Sequence, residues 1–305
     1  MKRSALLPVL MLCVFASAVL RAQGPQGAHT TPEEFEAKLG YQTGVVTLSG
    51  GMATIRLPES FRFIGPEGSA RLLTEGWGNP AGAADGVLGM LIPAGVSPVS
   101  REGWGIAITY DEDGYVNDDD AGGIDYTKML KEMQQDTVAA NEERKKQGFE
   151  PVTLVGWAEA PSYDASAHKL YWAKDLMFGT DSGHTLNYNI RILGRRGVLV
   201  LNAISDIGQL ETIRVEARSL LPAIEFNEGH RYADYLPGTD KAATYGVAGL
   251  ILGATAAKAG FFKLFWVGLL AFKKALFAGA IALFALIKRL LGRRSSEHAE
   301  AGAIQ

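Results

Sequence analysis

The sequence predicts an α+β fold: a mainly antiparallel sheet with two longer helices, plus a C-terminal transmembrane helix or helical hairpin. Three observations lead there. Short apolar runs rich in β-branched and aromatic residues follow one another through tight Gly-, Pro- or Asp-containing turns, which pairs neighbouring strands antiparallel. Two segments keep the spacing of an amphipathic helix. From Ala242 to Leu291 the chain is dominated by apolar residues, interrupted by single or paired basic residues.

Taken in order, residues 1–22 have the layout of a secretory signal peptide. Met1-Lys2-Arg3 is basic, Ala5 to Leu20 is apolar, and small residues suited to cleavage stand at Ala18 and Ala22. Residues 23–40 form a leader and a short helix, which Thr31 caps and Pro32 starts. Residues 41–240 form the main domain. Gly44 to Leu48 and Met52 to Leu57 flank Ser49-Gly50-Gly51 as a hairpin, and Pro66 to Leu73 is a short helix. Val87 to Ile92 and Trp104 to Tyr110 are strands. Asp125 to Gln147 is the clearest helix. Asp125 caps it, Tyr126, Met129, Leu130 and Met133 share one face, and Arg144, Lys145 and Lys146 end it.

Val152 to Ala158 and His168 to Phe178 follow as strands, with a turn at Pro161-Ser162-Tyr163-Asp164. Leu186, Tyr188, Ile190 and Ile192 alternate with Asn187, Asn189 and Arg191, which predicts a strand buried on one side. The polar row is either a binding surface or the solvent face. Val198 to Ile204 is the last strand, and Ile207 to Leu221 the second long helix, ended by Pro222.

Residues 241–291 read as a membrane anchor and 292–305 as a polar tail. Thr244 to Phe262 is 19 residues long, near the ~20 that cross a hydrocarbon core. Gly249 and Gly253 form a small-xxx-small pair suited to close helix packing in lipid. A single span leaves all later lysines and arginines inside, in keeping with the positive-inside rule. A hairpin instead uses the hydrophobicity of Ala275 to Leu291 and carries Lys288, Arg289, Arg293 and Arg294 outside.

Charge divides the chain in the same place. Residues 23–240 hold 18 Lys/Arg and 31 Asp/Glu, a net −13, whereas residues 241–305 hold nine against two, a net +7. An acidic domain on a basic anchor predicts a membrane partner and no nucleic acid. The one cysteine, Cys13, lies in the signal segment, so the mature domain has neither disulfide nor thiol chemistry. The location these features predict is the cytoplasmic (inner) membrane, with the main domain extracytoplasmic or periplasmic.

No catalytic residues and no cofactor are predicted. G-x-S-x-G, P-loop and G-x-G-x-x-G patterns are missing, and His29, His168, His184, His230 and His298 have no metal-ligand spacing. The densest acidic stretch runs from Asp111 to Asp120. Asp111, Asp113, Asp118 and Asp120 are candidate metal ligands by composition, though the order is not that of an EF-hand. The alternative is a solvated loop that favours the start of the next helix. Trp77, Trp104, Trp157 and Trp172 are core residues or flat binding faces. Glu159 and Asp164, near Trp157, are the carboxylates on which a glycoside-hydrolase reading rests.

Several phrases occur together and in order: Gly76-Trp77-Gly78-Asn79-Pro80, Gly114-Tyr115-Val116-Asn117-Asp118-Asp119-Asp120-Ala121, Asn141-Glu142-Glu143-Arg144, Gly156-Trp157-Ala158, Leu170-Tyr171-Trp172-Ala173, Leu186-Asn187-Tyr188-Asn189-Ile190-Arg191 and Leu193-Gly194-Arg195-Arg196-Gly197. In these the chain, over residues 40 to 290, resembles the bacterial membrane-anchored proteins of domain-of-unknown-function family 2167. The resemblance implies a signal peptide, an extracytoplasmic domain and a C-terminal anchor, and no activity or catalytic residue. Three functions follow as expectations. One is a non-enzymatic tethered domain that binds an envelope protein or component. Another is an envelope hydrolase working through Glu159 or Asp164. The third is a subunit of a membrane complex that packs through Gly249 and Gly253.

Overall fold

The computed structural model describes residues 31–253, apart from 147 and 180–182. The expected signal peptide, Cys13, the start of the leader and all of the tail from residue 254 lie outside the described residues.

Helix α1 (Pro32–Glu36) starts as predicted, with Thr31 and Glu34 forming a reciprocal capping box. Strands β1 (Val45–Thr47) and β2 (Ala53–Arg56) make the expected hairpin. Strand β3 (Phe61–Ile64) follows, then α2 (Pro66–Arg71) with a π-helical turn at Leu72–Gly76. Next come β4 (Gly89–Pro93), β5 (Ile106–Asp111), α3 (Tyr126–Lys146), β6 (Val152–Asp164), β7 (Lys169–Phe178), β8 (His184–Leu193) and β9 (Val198–Asp206). Helix α4 (Leu210–Leu220), β10 (Ile224–Phe226) and α5 (Val247–Leu252) complete the described chain. The fold is α+β, and all named strand pairs are antiparallel. One sheet has the order β1-β2-β10, the other β3-β4-β5-β9-β8-β7-β6.

The large sheet is covered on both sides. Its front face carries Ile106, Ile108, Tyr188, Ile190, Leu199 and Leu201. These pack with Val46 and Ile55 of the small sheet and with Ile213, Ala217 and Leu220 of α4. On the back face, α3 sets Met129 and Met133 against Val152, Leu154, Leu170, Trp172, Leu176 and Phe178. At the other edge Leu72 and Leu73 pack with Ile64, Met90 and Ile92. Side chains alternate along a strand, so the register puts Asn187, Asn189 and Arg191 on this back face with Trp172. The expectation of a half-exposed β8 is therefore corrected: the polar face of that strand is buried too, with Asn187 and Asn189 each 4% exposed.

Two other expectations change. Pro161 to Asp164 is strand rather than turn. β6 is an edge strand, where proline takes no ladder bond away, and its register shifts between Glu159 and Ser162 accommodate the proline as a bulge. The turn falls later. There Asp164 Oδ1 accepts from Ser166 N (2.9 Å) and Ala167 N (3.2 Å), and His168 takes a positive φ of 51°.

The second change is at the C-terminus. The start of the span expected from Thr244 to Phe262 belongs to the folded domain. α5 is six residues long, and Gly253 closes it in a left-handed conformation at φ 77°. Val247, Leu250 and Ile251 are buried with Val116, Leu193, Val198 and Val200. The hydrophobicity of 247–251 serves the core of the domain, and Gly249 and Gly253 do not sit on one continuous helix. No helix among the described residues is long and apolar enough to cross a membrane.

Candidate functional site

On the back face α3 packs on β6 and β7 and α5 against β8 and β9, and polar residues gather on β7, β8, β9 and β5. Lys174 of β7 stands opposite Asn187 of β8. Trp172 stands opposite Asn189, and Asn189 opposite Asn202 of β9. One step along, Arg191 pairs with Val200, whose other neighbour is Thr109 of β5. These residues form a polar strip, here termed the trough, in the centre of the sheet.

Arg191 sets the orientation of the rest. Its Nη1 donates to the Ile190 carbonyl at 2.9 Å, its Nη2 to Asn189 Oδ1 at 3.3 Å, and the guanidinium sits 5.0 Å from the Trp172 ring centre. A guanidinium only donates, so Asn189 must present its oxygen to Arg191. The Asn189 amide nitrogen then faces, and donates to, Asn187 Oδ1 at 2.9 Å. That leaves Asn187 Nδ2 enclosed and with no partner. Trp172 Nε1 and Thr109 Oγ1 are likewise buried without a hydrogen bond. Buried polar atoms are nearly always paired, because an orphan costs about 1–3 kcal/mol. Three on one face of one sheet need a reason.

The charges are the second anomaly. No carboxylate forms an ion pair with Lys174 or Arg191 among the described residues. Burial, with the like charge of Arg191 added, pushes the Lys174 ammonium down to about 8. Burial pushes Arg191 down to about 10, against a pull upward from Asp111. Asp111, on the same face beside Thr109, has its own carboxyl raised by burial, with Arg191 opposing and Asp113 adding.

The acidic loop does something different from what its composition suggests. The candidate metal ligands do not converge. Asp111 faces the trough. Asp113 Oδ2 accepts from Tyr245 Oη at 2.8 Å. Asp118 accepts from Tyr163 (2.6 Å), Tyr232 (2.9 Å) and His168 Nδ1 (3.2 Å). Asp120 takes the backbone N–H groups of Val247 (2.8 Å) and Ala248 (3.0 Å) at the start of α5. Among the described residues no group of three or more His, Cys, Asp or Glu is arranged to hold a metal ion. The loop is a dock for the C-terminal segment. Tyr115 bridges Ala242 in parallel, and Gly114, at φ 112°, leaves the room that a Cβ, 2.6 Å from the Lys241 carbonyl oxygen, would take. Tyr115 stacks on Tyr235 at 3.9 Å, His168 stacks on Tyr232 at 3.9 Å, and Arg195 clamps Asp240 through two bonds of 2.6 and 3.1 Å. The strap from Gly229 to Gly253 is thereby laid down on the domain, and the chain leaves it at a fixed point beside the trough.

A test of this dock follows from Asp118. Desolvation raises its carboxyl pKa, but the hydrogen bonds from Tyr163, Tyr232 and His168 outweigh it and the net shift is downward. A lowered folded pKa means that the stabilisation is present above the unfolded value of about 3.9 and is lost as pH falls through the folded one. Thermal midpoints are expected to drop more steeply below about pH 4 in the native chain than in Asp118→Asn. Parallel acid profiles would remove Asp118 from the dock.

Glu159 and Asp164 lie apart. Glu159 is held by Arg218 of α4, which also lies over Tyr171, while Asp164 is spent on the β6–β7 turn. Their β7 partners, Ala173 and Lys169, are four residues apart, roughly 13 Å along a strand and wider than the acid pair of a glycosidase. Trp104 and Trp172 are core residues at 2% and 1% exposure. Trp77 and Trp157 are partly buried, their ring N–H groups bonded to the Pro98 and Tyr126 carbonyls. His184 sits at the far end of β7 from His168, 2.8 Å from Asp175. Of the site now visible, the sequence pointed to Asn187, Asn189 and Arg191, to Trp172 as a core residue or flat binding face, and to Asp111 as a candidate metal ligand. Lys174 and Thr109 went unmarked, although the place of Lys174 at an alternate position of an apolar strand was the available signal.

Fold and site together define a class: an antiparallel α+β domain, layered on both faces, with an uncompensated polar trough in its sheet. The chain belongs to the family described as "Protein of unknown function (DUF2167)", whose model matches residues 40–284. No curated protein matches it. Among solved structures it is similar to the cyanobacterial PsbP (CyanoP) of Synechocystis sp. PCC 6803. The identity is 8%, over 67% of this chain and 99% of that one, and the TM-score is 0.34. It is also similar to the Ran-binding protein Mog1p of Saccharomyces cerevisiae, with 13% identity over 61% and 96% and a TM-score of 0.31. LpqN of Mycobacterium tuberculosis, involved in cell envelope biogenesis, gives 11% over 66% and 99% and a TM-score of 0.30. At these scores the likenesses carry no argument about this chain.

Proposed function

We propose that the protein is a non-enzymatic binding domain, tethered to the cytoplasmic membrane and displayed on its outer side as a component of the cell envelope. The trough is its binding site. The observation that carries this reading is the set of buried, unpartnered groups at Trp172, Asn187 and Thr109 beside two cations that no carboxylate among the described residues meets in an ion pair. Binding sites are where proteins keep such uncompensated groups. The tether reading rests on the sequence. With α5 counted into the domain, the anchor begins after Gly253, and the basic apolar stretch from Lys258 to Leu291 supplies it. The strap then fixes the domain's orientation to the bilayer. An envelope protein is the expected macromolecular partner.

Fractionation tests the tether. The full chain is expected in the membrane pellet after a high-salt wash, and a chain ending at Gly253 in the soluble fraction. Salt release of the full chain would contradict an embedded anchor. Protease digestion of intact spheroplasts tests the side: cleavage of the domain is expected, and protection would place it inside.

A further inference from the structure

We propose that the back-face trough binds a small oxyanion group, a phosphate or a carboxylate, between Lys174 and Arg191, with Asn187 Nδ2 and Trp172 Nε1 as the neutral donors. The proposal rests on the binding-domain reading and names its ligand chemistry.

Three features select an oxyanion. The unspent groups on β7 and β8 are donors: an ammonium, an amide N–H and an indole N–H. A neutral polyol needs acceptors as well, and a cation is repelled by Lys174 and Arg191. The donors are also held in place. Lys174 and Asn187 are direct cross-strand neighbours, as are Trp172 and Asn189, and the Arg191–Asn189–Asn187 hydrogen-bond chain fixes which atom of the Asn187 amide is left unpartnered. Donors fixed in a partly dehydrated site lose little entropy on binding and act in a low local dielectric. Finally, the site is charge-deficient. Asp111 bears on Arg191 through its charge without forming an ion pair, and no carboxylate among the described residues pairs with Lys174. An anion supplies the missing counter-charge. Thr109, two strands away, is placed to meet the part of the ligand beyond the oxyanion.

The test uses the full chain in a neutral detergent and Tris chloride. Sodium phosphate or sodium acetate replaces chloride at constant ionic strength, and thermal unfolding is followed by tryptophan fluorescence. At least one of the two anions is expected to raise the midpoint by several degrees, because a ligand bound only to the folded state stabilises it by mass action. Phosphate alone active assigns a phosphate group, and acetate alone a carboxylate. Lys174→Met and Asn187→Ala are each expected to lose most of the response while keeping a native near-ultraviolet dichroism spectrum. No response to either anion, or an undiminished response in Lys174→Met, overturns the proposal. Failure here leaves the fractionation result untouched. A chain that proves untethered but still responds to anion would sink the tether and keep the site.

Discussion

Ending the chain at Asp240 is expected to cost the domain on the order of 5 kcal/mol, whereas ending it at Gly253 costs nothing measurable. The reason is what the last thirteen described residues do. Val247, Leu250 and Ile251 are 0%, 9% and 1% exposed, packed against Val116, Leu193, Val198 and Val200. Full burial of such side chains contributes about 1.5–3 kcal/mol each. Their loss also uncovers the sheet residues beneath, strips Asp120 and Asp113 of the donors that α5 and Tyr245 provide, and opens the Tyr115–Ala242 bridge. Urea unfolding of soluble chains starting at residue 31 measures the difference directly. Equal midpoints for the two truncations would return residues 241–253 to the anchor.

Lys174→Met is expected to stabilise the ligand-free protein by roughly 2 kcal/mol at neutral pH. Most substitutions of buried residues destabilise, so the sign is the informative part. Methionine keeps the length of the lysine stem and removes a charge that burial and Arg191 disfavour. The linkage sign can be checked in the native chain. The lysine's folded value, about 8, lies below its unfolded value of about 10.4, so the unfolded state binds more protons between them. Stability attributable to Lys174 therefore rises with pH from about 8 upward, and Lys174→Met lacks that rise. The charged group that bears on it is Arg191 on β8. A destabilised Lys174→Met would mean that the ammonium already has a good partner.

How much of this was legible in the sequence varies by element. Helix α3 was readable end to end, because its signals are local: the Asp125 cap, which accepts from Thr127 and Lys128, and the Met129–Met133 spacing. Strands β7 to β9 were readable as strands, because they pair with sequence neighbours. β3 and β10 were missed. They are four and three residues long, and β10 pairs with β2 across most of the chain. Periodicity cannot see such a partner.

Two larger misreadings share one cause. An alternating strand reads as half-exposed, and an apolar run ahead of basic residues reads as a membrane span, because both rules price residues by their most common surroundings. Asn187, Asn189 and Arg191 lie on a face that helices and a strap enclose. Val247 to Ile251 lie on the element that encloses it. The trough and its cover were thus hidden from each other in the sequence, and only the register of β7 with β8 joins Lys174 to the polar row. The phrase from Gly114 to Asp120 has an equally physical reading: four of its residues, Gly114, Tyr115, Asp118 and Asp120, hold the strap.

The most direct measurement is the titration of Lys174 itself, by nuclear magnetic resonance of lysine-labelled protein, with the resonance assigned by its loss in Lys174→Met. A midpoint near 8 without ligand, moving upward when phosphate or acetate is added, is the predicted result. A midpoint near the ordinary lysine value of about 10.4, unmoved by either anion, would contradict a desolvated, unpaired cation and with it the binding trough.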